Sequence, residues 1–284
     1  MGDDSWLRSE IGKSTPDTIT VRGRDLATEL MGQVTFTEMA FFLTAARMPT
    51  PGETRLFDAA LVALADHGLT PSALAARLTW TGATESLQGA VASGLLGAGN
   101  VFLGVVDDTA RFLAAILDSA AEGGPHGHGP DAQGDDEGER EGEREGAGRR
   151  NGERLQTAVD RAVQAEIAAG RRIPGLGHPV HKVEDPRTPR LYAIAGEAGI
   201  PIPHLTVLRT VAEVHAAATG KALPINGAGV AGAAFADLGL PPAIIRGFAL
   251  LARTAGLVGH LAEEMQHPIG RQLWLDVEHR ATQE

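Results

Sequence analysis

Helix starts are written into this chain more densely than any other structural signal. Thr35 is followed three residues later by Glu38, and Thr50 by Glu53. In such a pair the threonine hydroxyl accepts from the third helical amide while the glutamate reaches back to the cap. Pro51 then takes the first helical position, where its missing N–H removes nothing the helix needs. Thr70-Pro71, Thr188-Pro189 and Pro241-Pro242 signal further starts. Between them apolar residues recur at helical spacing, as in Leu56, Phe57, Ala60, Leu61 and Leu64, then Leu155, Val159, Val163 and Ile167, then Leu205, Leu208, Val211 and His215. Strand signals are nearly absent. Only Thr18 to Val21 alternates, which fits a short N-terminal hairpin. The pattern predicts a mainly α protein of about ten to twelve helices, with no internal repeat and no heptad run.

Composition narrows what such a protein does. Its 284 residues are ample for a hydrophobic core. Without cysteine there is no disulfide, thiolate metal site or cysteine nucleophile. A net charge of −11 argues against nucleic acid, which needs a basic face. No apolar run is read as approaching the roughly 18–20 residues that cross a bilayer, so no membrane is expected. The opening MGDDSWLRSEIGKS has no apolar core of a secretory signal, and a cytoplasmic location is expected. Residues 121–154 hold ten glycines, ten acidic and five basic residues, and no large apolar side chain. Such a stretch buries too little to offset its ordering entropy, so it is expected to be a disordered, acidic, Gly-rich surface insertion.

Five segments have residues suited to chemistry. Asp66-His67-Gly68 falls at a helix end, where His67 either complements the helix dipole or faces a cleft as an acid, base or polarising group. Small residues fill 86–108; Gly97-Ala98-Gly99 there lacks the strand and βαβ unit of a dinucleotide fingerprint. Residues 171–187, RRIPGLGHPVHKVEDPR, form an irregular loop fixed by glycines and prolines. It presents His178, His181, Lys182, Asp185 and Arg187 together. No third ligand is at hand for a metal on the two histidines, and the basic groups suit an anionic substrate better. Residues 222–242 are Gly- and Ala-rich, which implies tight helix packing beside a site. Finally, Arg253, His260 and Glu264 are spaced for a helix, and Arg253 is either a carboxylate clamp or a surface ion pair.

Taken in order, these segments resemble the citrate synthase superfamily. ITVRGRDLATEL, VTFTEMAFFLTAARMPT, ADHG, SGLLGAGNVFLG, GLGHPVHKVEDPR, PINGAGVAGAAFADLG and RTAGLVGHLAEE carry the resemblance, which covers almost the whole chain outside the acidic stretch. It implies the citrate synthase fold and a homodimer. A large helical domain would comprise 1–102 and 229–284, and a smaller mobile helical domain 103–120 and 155–228. The cleft would take a CoA thioester and a citrate- or oxaloacetate-like carboxylate, with no tightly bound cofactor and no metal. His178 matches the histidine that polarises the oxaloacetate carbonyl or the citryl hydroxyl, with His67 beside it. Arg187 and Arg253 match carboxylate clamps. Gly175 and Gly177, with His181 and Lys182, form the loop expected to meet the CoA.

Three departures shape the functional expectation. Phe102 stands where citrate synthases have a histidine that bonds the thioester enolate, and the citryl-CoA lyase branch also has an aromatic there. Ala228 replaces the family aspartate that moves the acetyl α-proton, while Asp237 belongs to a different motif and caps or packs its helix. His267 stands where an arginine commonly reaches across the dimer. The resemblance therefore points to citryl-CoA cleavage into acetyl-CoA and oxaloacetate, a retro-aldol step in which His178 serves the hydroxyl. Two alternatives stay open: an acyltransferase condensing acetyl-CoA with a 2-oxo acid, and a catalytically impaired homologue that binds CoA or citrate and regulates a partner.

Overall fold

The computed structural model describes residues 9–122 and 137–283. A small antiparallel meander opens it: β1 (Gly12–Ser14), β2 (Ile19–Val21) and β3 (Arg24–Asp25), with Lys13 opposite Thr20 and Thr20 opposite Asp25. Eleven α-helices follow among the described residues. They are α1 (Phe36–Ala45), α2 (Pro51–Ala65), α3 (Pro71–Gly82), α4 (Leu87–Ala98), α5 (Gly104–Glu122), α6 (Glu137–Ala168), α7 (Arg187–Ala198), α8 (Pro203–Thr219), α9 (Gly227–Asp237), α10 (Pro242–Gln266) and α11 (Gly270–Ala281). The mainly α reading holds.

The start signals act as the sequence implies. Both capping boxes close: Thr35 N donates to Glu38 Oε2 at 2.8 Å and Thr50 N to Glu53 Oε2 at 2.7 Å, while each threonine hydroxyl accepts the return bond. Thr70 caps α3 and Pro242 opens α10. One start is displaced. α7 begins at Arg187, ahead of Thr188-Pro189, with Pro186 in the cap position and Asp185 just before it accepting from Arg187 N at 3.1 Å. Asp237 is spent on α8, accepting from His204 N at 2.7 Å and Leu205 N at 3.1 Å.

Four phenylalanines knit the centre. Phe41 of α1, Phe57 of α2, Phe235 of α9 and Phe248 of α10 meet with ring centroids 5.0 to 5.7 Å apart, mostly edge to face, the geometry the ring quadrupole favours. One continuous core runs through α1, α2, α5, α6, α8, α9 and α10 and includes residues from both expected domains. α9 lies inside it and is almost wholly buried. A side chain at Gly229 would strike the backbone of Gly175, and one at Gly232 the carbonyl of Val106, so only glycine lets α9 sit this close.

Two expectations need correction. The acidic stretch is helical over Glu137–Arg154, within α6; residues 123–136 and the side chains up to 147 lie outside the described residues. Arg149 and Glu153 stand at i,i+4 spacing that supports a solvated helical face, and Arg149 does face Glu153. The second concerns apolar length. Leu87–Glu122 and Pro242–Gln266 are each long and apolar enough to cross a membrane. Here they pack against other helices, α5 on α9 and α10 on α2, and hold buried Asp107, Arg253 and Glu264.

Candidate active site

The site forms where four elements end or begin together. α2 stops at Ala65, Gly68 turns the chain with φ 75°, and His67 is left between them. The loop 171–186 is pinned from both sides. Gly177 N donates to Pro224 O at 2.7 Å, Asn226 N donates to Gly175 O at 2.9 Å, and Asn226 Nδ2 donates to Gly177 O at 2.9 Å. Asn226 also caps α9 through its Oδ1. This clamp presents His178 and His181 towards His67.

The three imidazoles converge although their positions span 114 residues. His67 Nε2 and His181 Nε2 lie 3.3 Å apart. His178 stacks on His181 with centroids at 4.5 Å and meets His67 edge-on at 5.2 Å. The third nitrogen that the sequence did not place near His178 and His181 is therefore His67, and all three offer nitrogens within 4.8 Å of one another. Their chemistry favours an anion over a cation. His178 Nδ1 accepts from Val180 N at 3.1 Å and His181 N at 3.0 Å. That fixes the proton of the neutral ring on Nε2, a donor with no lone pair to offer a metal. Burial and the neighbouring Arg187, with His181 and Arg253, hold His67 below the ordinary histidine range. Burial likewise lowers His178, Asp185 opposing and the other histidines and Arg187 adding to it. Both are neutral donors or bases at neutral pH.

Two guanidiniums flank the imidazoles. Arg187 donates from Nε and Nη2 to the two Asp185 oxygens at 2.9 and 2.7 Å, and from Nη1 to Ala63 O at 3.2 Å. Three of its five N–H groups are thereby spent on orientation, and two remain. A side chain at Gly227 would occupy the guanidinium's place, so that glycine makes room for it. Arg253 of α10 is 7% exposed, and its Nη1 has no hydrogen-bond partner among the described residues. Burial lowers its pKa, partly offset by Asp66.

Asp185 is fully buried. Burial raises its carboxyl, but the Arg187 guanidinium and the N–H of Gly227, 2.8 Å away, outweigh this and hold it at about 2, below the ordinary 3.8. Arg47 chiefly holds Glu53 at about 2 as well. A carboxyl depressed in the fold stabilises fully above its unfolded pKa and loses that contribution as pH falls through its folded one. The melting temperature is therefore expected to be insensitive to these groups down to about pH 4.5 and to fall between there and pH 2. Thermal scans at pH 7, 4.5 and 2.5 read this directly, and a drop already complete at pH 4.5 would contradict it.

The other expected site residues scatter in role. Lys182 is exposed, and its Nζ donates to His178 O at 3.1 Å, bracing the loop. Gly175 is packed against Gly229 and Thr109, so its lack of a side chain serves α9 and leaves no face for a ligand. Gly177, with φ 81°, has open space where a side chain would be. His267 ends α10 on the surface. Phe102 lies in the wide helical turn Gly99–Leu103 between α4 and α5 and is 45% exposed. Ala228 sits half-buried in the first turn of α9.

A supporting network escaped the sequence reading. Asp66 accepts from Gly68 N at 2.5 Å and from His260 Nε2 at 2.7 Å. His260 Nδ1 faces Arg77, which is 2% exposed and bonds Glu264 at 2.9 Å and also Glu263. Glu264 in turn accepts from Ile269 N and Gly270 N at the start of α11. His260 and Glu264 were visible as helix-spaced residues of α10. Arg77, in an alanine-rich helix, had no acidic neighbour at i±3 or i±4 to mark it.

The sequence pattern of the citrate synthase C-terminal domain matches residues 34–273. No curated protein matches the sequence. Among solved structures the chain is similar to citryl-CoA lyase from Hydrogenobacter thermophilus, with 28% identity and a TM-score of 0.73 over 92% of this chain and 87% of that one. It is also similar in fold to ATP citrate lyase from Methanothrix soehngenii in complex with citrate and coenzyme A, with 22% identity and a TM-score of 0.69 over 91% of this chain and 39% of that one. A citrate synthase from Thermoplasma acidophilum, bound to carboxymethyl coenzyme A and oxaloacetate, shares 17% identity and a TM-score of 0.56 over 82% and 54%. With the family's pattern matching most of its length and the same fold in these structures, this chain belongs to the citrate synthase family.

Proposed function

We propose that the chain cleaves citryl-CoA to acetyl-CoA and oxaloacetate. The observation that carries this is Arg253. A buried guanidinium with an unpartnered N–H is costly in the free protein, and a carboxylate is the group whose geometry and charge satisfy it. Arg187, pre-oriented by Asp185 with two N–H groups to spare, suits a second carboxylate. The Nε2–H of neutral His178 suits the hydroxyl oxygen that becomes the oxaloacetate carbonyl, since a donor there stabilises the developing charge. An aromatic Phe102 in the α4–α5 turn and the similarity to a citryl-CoA lyase at 28% identity favour cleavage over condensation.

In this reading His178, with Nδ1 accepting two backbone bonds, polarises the substrate oxygen, and another group acts as the base. The CoA thioester is a substrate, and no tightly bound cofactor is invoked. We further propose that 103–120 and 155–228 close over the rest of the chain, and that the protein is a homodimer. α3, α4, α10 and α11 pack together and expose Leu87, Leu96, Val258, Met265, Trp274 and Val277, and exposed apolar side chains of this kind suit a subunit contact. Light scattering should read the dimer mass.

The test is turnover of synthetic citryl-CoA, with oxaloacetate coupled to NADH oxidation by malate dehydrogenase. Turnover by the wild type is expected. The second reading is a disarmed binding homologue, favoured by Ala228. No turnover in the wild type, but turnover gained by Ala228→Asp, would establish that reading. CoA release from acetyl-CoA plus a 2-oxo acid, without citryl-CoA cleavage, would instead establish a condensing acyltransferase.

A further inference from the structure

We propose that His67 and His181 act together as the base and acid of the cleavage, passing a single proton from the tertiary hydroxyl to the carbon that leaves. The proposal rests on the lyase reading and names the groups that fill the role left by Ala228. His181 then belongs to the reacting centre, in addition to the loop expected to meet the CoA.

The argument begins with what the other groups are doing. Asp185 is sealed by Arg187 and Gly227 N and is fully buried. Asp66 spends one oxygen on Gly68 N and the other on His260. His178 offers an N–H and no lone pair. Within the cluster that leaves His67 and His181, half-buried, with Nε2 atoms 3.3 Å apart and rings crossed at 88°. One Nε2 must carry a proton and the other must accept it. Each neutral imidazole has one protonated and one bare nitrogen, so the pair has one bare Nδ1 at one end and one protonated Nδ1 at the other.

The step balances. The bare Nδ1 takes the hydroxyl proton, and the oxygen's electron pair forms the carbonyl of oxaloacetate. The carbon–carbon bonding pair moves onto the acetyl carbon, giving the thioester enolate. The shared proton crosses from one Nε2 to the other, and the far Nδ1 gives its proton to the enolate carbon, forming the methyl group of acetyl-CoA. The net proton change is zero. The pair is left in the mirror tautomer, and exchange with water resets it. Charge around the pair favours this passage. Arg187 from α7 and Arg253 from α10 oppose a lasting imidazolium on His67, and Asp185, already paired with Arg187, offsets them only in part. A proton taken up is therefore passed on.

The experiment measures two reactions in wild type, His181→Gln and His67→Gln. One is citryl-CoA cleavage between pH 5 and 8. The other is exchange of the acetyl-CoA methyl protons in D2O with oxaloacetate present, followed by mass spectrometry. Glutamine keeps a hydrogen bond but carries no extra proton. Each variant is expected to lose about 100-fold or more in kcat, the usual scale for a general acid–base group. KM should stay within a few-fold, exchange should fall in parallel, and the acidic limb of the pH profile should vanish. A merely structural role would lower the whole profile and leave that limb in place, which would overturn the proposal. So would a His181→Gln enzyme within about 3-fold of wild type, with the lyase reading intact. Wild-type exchange without citryl-CoA cleavage, lost in both variants, would sink the lyase reading and the cleavage relay with it, leaving the pair only as the groups that move the acetyl proton. Neither reaction in wild type would sink both.

Discussion

Arg253→Gln is expected to reduce kcat/KM for citryl-CoA by about 30- to 5000-fold while raising the melting temperature of the ligand-free protein. Removing one partner of a buried, hydrogen-bonded charge pair costs roughly 2–5 kcal/mol, and that range sets the fold-change. The opposite sign on stability follows from the free protein. There Arg253 is a buried cation with an unpartnered Nη1, and its replacement by a neutral side chain relieves a desolvation cost. Function and stability thus pull against each other at one residue. Steady-state kinetics and a thermal scan on the same preparations decide it. Loss of activity together with loss of stability would mean that Arg253 holds the fold and grips nothing.

Arg77→Met should destabilise the protein by about 3–5 kcal/mol, because it strands buried Glu264 without its cation. For a chain of this size the melting temperature should fall by about 10 °C. Pairing it with Glu264→Gln should recover much of the stability, since glutamine Oε1 still accepts from Ile269 N and Gly270 N while the stranded charge is gone. Activity should stay low in the double variant. His260 would have lost the donor facing its Nδ1, and with it the orientation that holds Asp66 and the His67 turn. Urea unfolding and kcat on the single and double variants separate the two effects. Full recovery of both would show that the network serves stability alone.

Much of the fold was legible because it is locally encoded. The capping boxes at Thr35 and Thr50, the starts at Pro71 and Pro242, and the apolar faces of α2 and α8 depend on neighbours within four residues. The loop 171–186 stood out for the same reason. What the sequence hid is tertiary. Nothing local brings His67 to His181, 114 positions away, or Arg77 to Glu264, so the absent third nitrogen and the unmarked arginine were both failures of distance. The tautomer of His178 was equally hidden, because two backbone N–H groups of its own turn decide it. The helix over 137–154 was missed because composition was weighed by burial alone, and charge spacing along a solvated helix was given no weight.

Arg253, His260 and Glu264 follow one another on α10 at intervals of seven and four residues, so they share one side of that helix. A single residue gained or lost between them would turn one part of the site away from the other by about 100°. Descent within the family should therefore have frozen the length of this segment as firmly as its composition. The Gly-rich, acidic sequence between α5 and α6 carries no such spacing requirement, since the cost of added chain grows only slowly with its length. Insertions and deletions among related chains should collect there and spare α10, a pattern that reads the active site from gaps alone.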